Sequence, residues 1–89
     1  MKITYDAAKY QTNIEKHGVS FDLVASFDMS TALIWQDMRK DYQESRYCAL
    51  GLIDARVYLL VFTMREDTVR VISFRKANKR EVKKYVEYS

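Results

Sequence analysis

The stretch RYCALGLIDARVYLLVFTM, Arg46 to Met64, decides the fold. Two apolar runs, Arg46 to Ile53 and Val57 to Met64, flank the short connection Asp54-Ala55-Arg56, the pattern of an antiparallel hairpin. In the second run both alternating sets are apolar, with Val57, Leu59 and Val61 on one side and Tyr58, Leu60 and Phe62 on the other. Such a strand has cover on both faces. Upstream, Ala32 to Asp37 is a further strand candidate and the polar stretch Met38 to Ser45 a loop. Downstream, Arg65 to Thr68 reads as a turn and Val69 to Arg75 as the last strand, which completes a meander.

The two ends carry helix signals. After a short start at Lys2 to Tyr5, Asp6 is an N-cap for a helix over Ala7 to His17, closed by Gly18. Ser20 caps a second segment, Phe21 to Phe27, in which Leu23, Val24 and Phe27 recur at helical spacing. Asn78 and Glu81 have the spacing of a capping box, and Val82, Tyr85 and Val86 form the apolar stripe of a basic final helix. Helices, then strands, then one helix indicate an α+β fold. The expected architecture is one domain over residues 1–89: two N-terminal helices, an antiparallel sheet of three to four strands and a C-terminal helix. The first two helices cover one face of the sheet, leaving the last helix or a partner protein for the other.

Composition narrows the function classes. A hydrophobic fraction of 48% with 30% charged residues fits a folded globular chain. The one cysteine, Cys48, cannot form an internal disulfide, and a secretion signal is not evident, so a reducing cytoplasm is expected. The longest wholly apolar run, Val57 to Phe62, is too short to span a membrane. One histidine and one cysteine do not make a zinc site, two isolated glycines make no phosphate loop, and no cofactor is implied. The net charge of +3 is unevenly placed. Residues 1–44 carry five Lys/Arg against seven Asp/Glu, whereas residues 45–89 carry ten against five. A basic second half points to a polyanionic partner, although solvated basic faces are common.

Three ordered motifs carry a family resemblance. The first is Tyr5-Asp6-Ala7-Ala8-Lys9, then Asn13, then Lys16-His17-Gly18-Val19-Ser20-Phe21. The second is Glu44-Ser45-Arg46 with Leu50-Gly51. The third is Arg70-Val71-Ile72-Ser73-Phe74-Arg75-Lys76-Ala77, followed by Glu81 and Tyr85. Together they resemble the BrnT family of bacterial toxins, departing from it at Tyr5, where Trp is frequent, and at Ala55, where Gly is commoner. The resemblance implies a RelE-like fold and a ribonuclease that suppresses translation by cutting mRNA. It also implies a BrnA-like antitoxin with a ribbon-helix-helix domain, joined to the toxin in a hetero-oligomer that represses its own operon. Operator DNA would then be contacted only through the antitoxin, and no membrane partner is implied.

RNA can be cleaved without a metal when its own 2′-hydroxyl attacks the adjacent phosphate. The protein must then position the strand, accept a proton and neutralise developing charge. Arginine suits the last task, because its planar guanidinium stays ionised and holds two phosphate oxygens at once. The candidates are Arg46, Arg65, Arg70 and Arg75, with Lys76, Lys79 and Arg80 as further RNA contacts. Strand alternation puts Arg70, Ile72, Phe74 and Lys76 on one face, and Val69, Val71, Ser73 and Arg75 on the other. Of these, the resemblance favours Arg75. For proton transfer the chain offers His17, Glu44, Tyr42, Glu81 and Tyr85. His17 also suits a helix end, Glu81 a capping box and Tyr85 the core, while Glu44 and Arg46, two apart, would face the same way in a strand and pair. Tyr42, in the polar loop, could stack an unpaired base, and Trp35 reads as packing. Two other readings stay open: a nucleic-acid-binding module that does not cut, and a protein-interaction domain whose second apolar face binds another chain.

Overall fold

The alternation of Arg46 to Met64 is realised as a long hairpin at the centre of the sheet. The computed structural model describes residues 2–89. The chain runs β1 (Lys2–Tyr5), α1 (Ala7–His17), two 3₁₀ segments (Phe21–Ser26 and Met29–Thr31), β2 (Leu33–Gln36), β3 (Tyr47–Ile53), β4 (Arg56–Arg65), β5 (Thr68–Lys76) and α2 (Lys79–Tyr88). Its strands form one sheet in the order β1-β5-β4-β3-β2. Two-residue turns link β3 to β4 and β4 to β5, where Asp54 (φ 52°) and Glu66 (φ 57°) take the left-handed conformation that reverses the chain in so few residues.

The expected architecture is corrected in two places. The sheet has five strands and is mixed, not antiparallel with three to four, because β1 pairs in parallel with β5, Lys2 opposite Thr68 and Tyr5 opposite Val71. Four residues are too few to display a period, and pairing with so distant a segment leaves no local mark. The second N-terminal helix is instead a 3₁₀ segment. Its buried residues are Phe21, Val24 and Phe27, whereas Leu23 is 41% exposed. A stripe recurring every third residue is the 3₁₀ period, in which i and i+3 lie above one another.

That stripe seals the first face of the sheet, packing with Leu60, Phe62, Val71 and Phe74. Phe27 settles directly on Gly51, where a Cβ would lie 2.6 Å from the ring. Beyond Tyr5, where β1 stops, α1 takes over the edge of β5. The buried Asn13 accepts the Phe74 N–H (3.1 Å) and donates to the Phe74 carbonyl (2.7 Å) and to that of Val19 (2.9 Å). One amide side chain thus replaces a neighbouring strand and satisfies buried backbone groups that would otherwise be orphaned.

The second face is half covered. Tyr85 of α2 packs there with Cys48, Leu50, Val57 and Leu59. The rest of the expected stripe stays outside, Val86 being 63% and Val82 37% exposed. Around Val61 and Ile72, which stay half-buried, the cover by α2 thins to Glu81 at its first turn, and this open half holds the candidate site.

Candidate functional site

A bulge in β5 organises the uncovered half. Val61 lies opposite Ser73 while Phe62 lies opposite Val71, so Ile72 is an extra residue. Strict alternation would separate Arg70 from Arg75 and group it with Phe74 and Lys76. After the bulge, Val69, Val71 and Phe74 all enter the first core, and Arg70 and Arg75 share the second face. Lys76, opposite Tyr58, turns away and lines a separate hollow with Val57 and Val82. Along β4 the alternation is regular, which places Arg65 with Val61 and Thr63 on the same second face. Arg46 precedes β3 beside them.

The result is a cleft of about 730 Å³ with an apolar floor of Leu59, Val61 and Ile72, flanked by Trp35, Arg46 and Arg75. Ile72 and Ser73 also border a smaller hollow that carries Lys16 and His17 from the last turn of α1. A third hollow, sharing Ile72, carries Tyr42, Glu44, Arg46 and Arg70. The structure therefore brings Arg46, Arg70, Arg75, Glu44, Tyr42 and His17 around the bulge, with Arg65 joined through Glu44. Lys76, Lys79 and Arg80 line none of these three spaces.

Glu44 pairs with Arg65, at 2.6 Å and 3.1 Å, and not with Arg46. The expected pairing assumed a strand at residues 44–46, but β3 begins only at Tyr47. The bonds from Arg65 lower the Glu44 carboxyl from its ordinary value. Arg46 instead stacks its guanidinium 4.1 Å above the Tyr42 ring. The Tyr42 hydroxyl donates to Asp37 (3.1 Å), a buried carboxylate that also accepts two bonds from the Arg39 guanidinium (2.9 and 2.8 Å). Those Arg39 bonds hold Asp37 well below the usual carboxylate range. Sequence reasoning missed Asp37. The only available signal was an acid at the end of an apolar run, leading into a polar loop that carries Arg39 and Tyr42.

Arg75 is clamped by Glu81 through two bonds of 2.8 and 2.9 Å. Glu81 also accepts the Asn78 N–H, and Asn78 accepts that of Glu81, so the capping box forms as expected. Burial pushes the Glu81 carboxyl up, but the Arg75 pair and the Asn78 N–H outweigh it and leave the group below its ordinary value. Tyr85 is core, and Cys48 lies buried under the cleft with its thiol pushed up by that burial. Among the described residues, ion pairs join Arg39, Arg65 and Arg75 to carboxylates, and none joins Arg46 or Arg70.

Four arginines beside an open apolar floor, two of them without carboxylate partners among the described residues, give this half of the sheet the chemistry to meet a polyanion. The family model described as the ribonuclease toxin, BrnT, of type II toxin-antitoxin systems matches residues 5–81, and the chain belongs to that family. It is a ribonuclease toxin with RNA as its substrate and an antitoxin as its partner. A search of curated proteins finds no match. Among the described residues, no helix is long and apolar enough to cross a membrane.

Proposed function

We propose that this toxin is a cytoplasmic, metal-independent endoribonuclease that cuts mRNA on the uncovered half of the sheet and so arrests translation. The observation that carries the reading is the bulge at Ile72, which brings Arg70 and Arg75 to the face that Arg65 of β4 shares, with Arg46 beside them ahead of β3. In the reaction, the 2′-oxygen forms a bond to phosphorus while the bond to the 5′-oxygen breaks. The products are a cyclic phosphate and a 5′-hydroxyl. The arginines offset the charge that builds on the phosphoryl oxygens, a role suited to fixed donors on a rigid sheet. Glu44 and Glu81 act by fixing Arg65 and Arg75, since carboxylates held ionised by such pairs are weak proton acceptors. That leaves His17 and Tyr42 as the side chains to exchange protons with the 2′- and 5′-oxygens.

A BrnA-like ribbon-helix-helix antitoxin covers this half of the sheet in the resting hetero-oligomer, which represses the operon by binding operator DNA through the antitoxin. The test is incubation of the purified chain with single-stranded RNA in EDTA. Cleavage is expected, and RNA left intact at high protein concentration overturns the reading. Arg75→Ala should abolish growth arrest on expression while the chain still folds and captures its antitoxin. Retained arrest would remove Arg75 from the site.

A further inference from the structure

The hollow next to the main cleft measures about 230 Å³ and draws its lining from four parts of the chain. Lys9 comes from α1, Arg46 from the residue before β3 and Arg70 from β5, with Thr63 of β4 between them. Lys9, Arg46 and Arg70 form no ion pair with a carboxylate of the described residues. Glu44, the acid on the rim, is engaged by Arg65. Arg46 is held in place by the Tyr42 ring beneath it. The Thr63 hydroxyl is buried, and no hydrogen-bond partner for it exists among the described residues. A buried hydroxyl without a partner is uncommon, because it forfeits its bonds to water and gains none in return. Three cations held close together, with the nearby acid neutralised, repel one another until an anion enters.

We infer that this hollow is a phosphate subsite, in which Lys9, Arg46 and Arg70 hold a backbone phosphate of the bound strand and Thr63 donates its hydroxyl to that phosphate. Neither Lys9 nor Thr63 belongs to the arginine set of the proposed reaction, and both become contacts that anchor the strand beside the cleavage position. The identity of the polyanion rests on the ribonuclease reading. The geometry favours a phosphodiester over a divalent cation, which the three charges repel, and over a neutral ligand, which leaves them uncompensated.

The test separates this subsite from cleavage by using a single-stranded deoxyribonucleotide oligomer, which lacks the attacking 2′-hydroxyl and stays intact. Its binding to the full-length toxin is followed by fluorescence anisotropy over a range of salt concentrations. Lys9→Gln and Arg70→Gln should each weaken binding about tenfold and reduce the salt slope by about 0.7, the value for one lost phosphate contact on a single strand. Arg56→Gln, in the turn at the far end of β4, should change neither. Thr63→Val keeps the shape and removes the hydroxyl, so it should weaken binding about threefold while the free protein melts at the same or a higher temperature. If Lys9→Gln and Arg70→Gln match Arg56→Gln, the subsite is overturned, whatever happens to RNA. If they spare the oligomer but lose the antitoxin, the hollow belongs to a protein acidic group and the proposal also fails. Weakened oligomer binding in a protein that leaves RNA uncut would uphold the subsite and overturn only the ribonuclease reading.

Discussion

On one face of the sheet, Leu60, Val71 and Phe74 are sealed beneath a 3₁₀ segment whose buried residues, Phe21, Val24 and the capping Phe27, recur every third position. On the other, Leu50 and Leu59 have Tyr85 as their helical cover, and the part around Val61 and Ile72 opens into the arginine-lined cleft. Both faces are made by the same strands, so the difference arises from what packs on them. The sealed face places its cost in conformational entropy and regains it by removing aromatic surface from water. The open face leaves Val61 and Ile72 half-buried beside Arg46 and Arg70, which have no carboxylate partner among the described residues, an arrangement that suits the proposed RNA surface.

The contrast predicts a graded set of effects. Phe74→Ala removes a ring with no exposure, stacked on Tyr58 and edge-on to Phe27, and should cost about 3–5 kcal/mol by chemical denaturation. A cost below 1 kcal/mol would show that this face is not sealed. Asn13→Ala should cost about 3 kcal/mol, because the Phe74 N–H and carbonyl lose their partner while buried. If it is neutral, α1 does not anchor the edge of β5.

On the open side the effects shrink. Asp37→Asn should cost about 1.5 kcal/mol near neutral pH through its bonds to Arg39 and Tyr42. Because the Asp37 carboxyl is depressed in the folded state, its stabilisation is present above the ordinary carboxylate value of about 3.9 and lost as pH falls below it. The gap between wild type and Asp37→Asn should therefore stay constant from about pH 7 to about pH 5 and close below about pH 4. A gap that widens on acidification would contradict the assigned direction. Glu44→Gln should leave the melting temperature nearly unchanged, since its partner Arg65 is largely exposed and exposed pairs contribute little. Any effect of Glu44→Gln on RNA cleavage should then exceed its effect on melting.

Much of this molecule was legible before its structure. Asp6, Gly18, Asn78 and Glu81 marked helix ends through contacts made within a few residues, and all four cap as read. The hairpin from Arg46 to Met64 followed from its alternation and a short connection, read as Asp54-Ala55-Arg56 and formed as the two residues Asp54 and Ala55. Tyr85 was read as core because it stood on an apolar stripe, although its neighbours Val82 and Val86 remain outside. The site was less legible. Arg70 and Arg75 were placed on opposite faces because alternation assumes an unbroken strand, and the bulge at Ile72 is set by pairing with β4. Glu44 was matched with Arg46 because they are near in sequence, whereas the loop carries Glu44 to Arg65.

By itself, the sequence determined the caps, the central hairpin, the basic second half and the motifs of the BrnT family. These depend on period, on short-range hydrogen bonds and on residue type, which are local properties of the chain. Tertiary structure alone decided that Lys2–Tyr5 pairs with β5, that Arg70 and Arg75 share a face across a bulge and that Asp37 is buried and accepts the hydroxyl of the Tyr42 on which Arg46 stacks. Each of these depends on which distant segment lies alongside, and that is settled by the packing of the whole sheet.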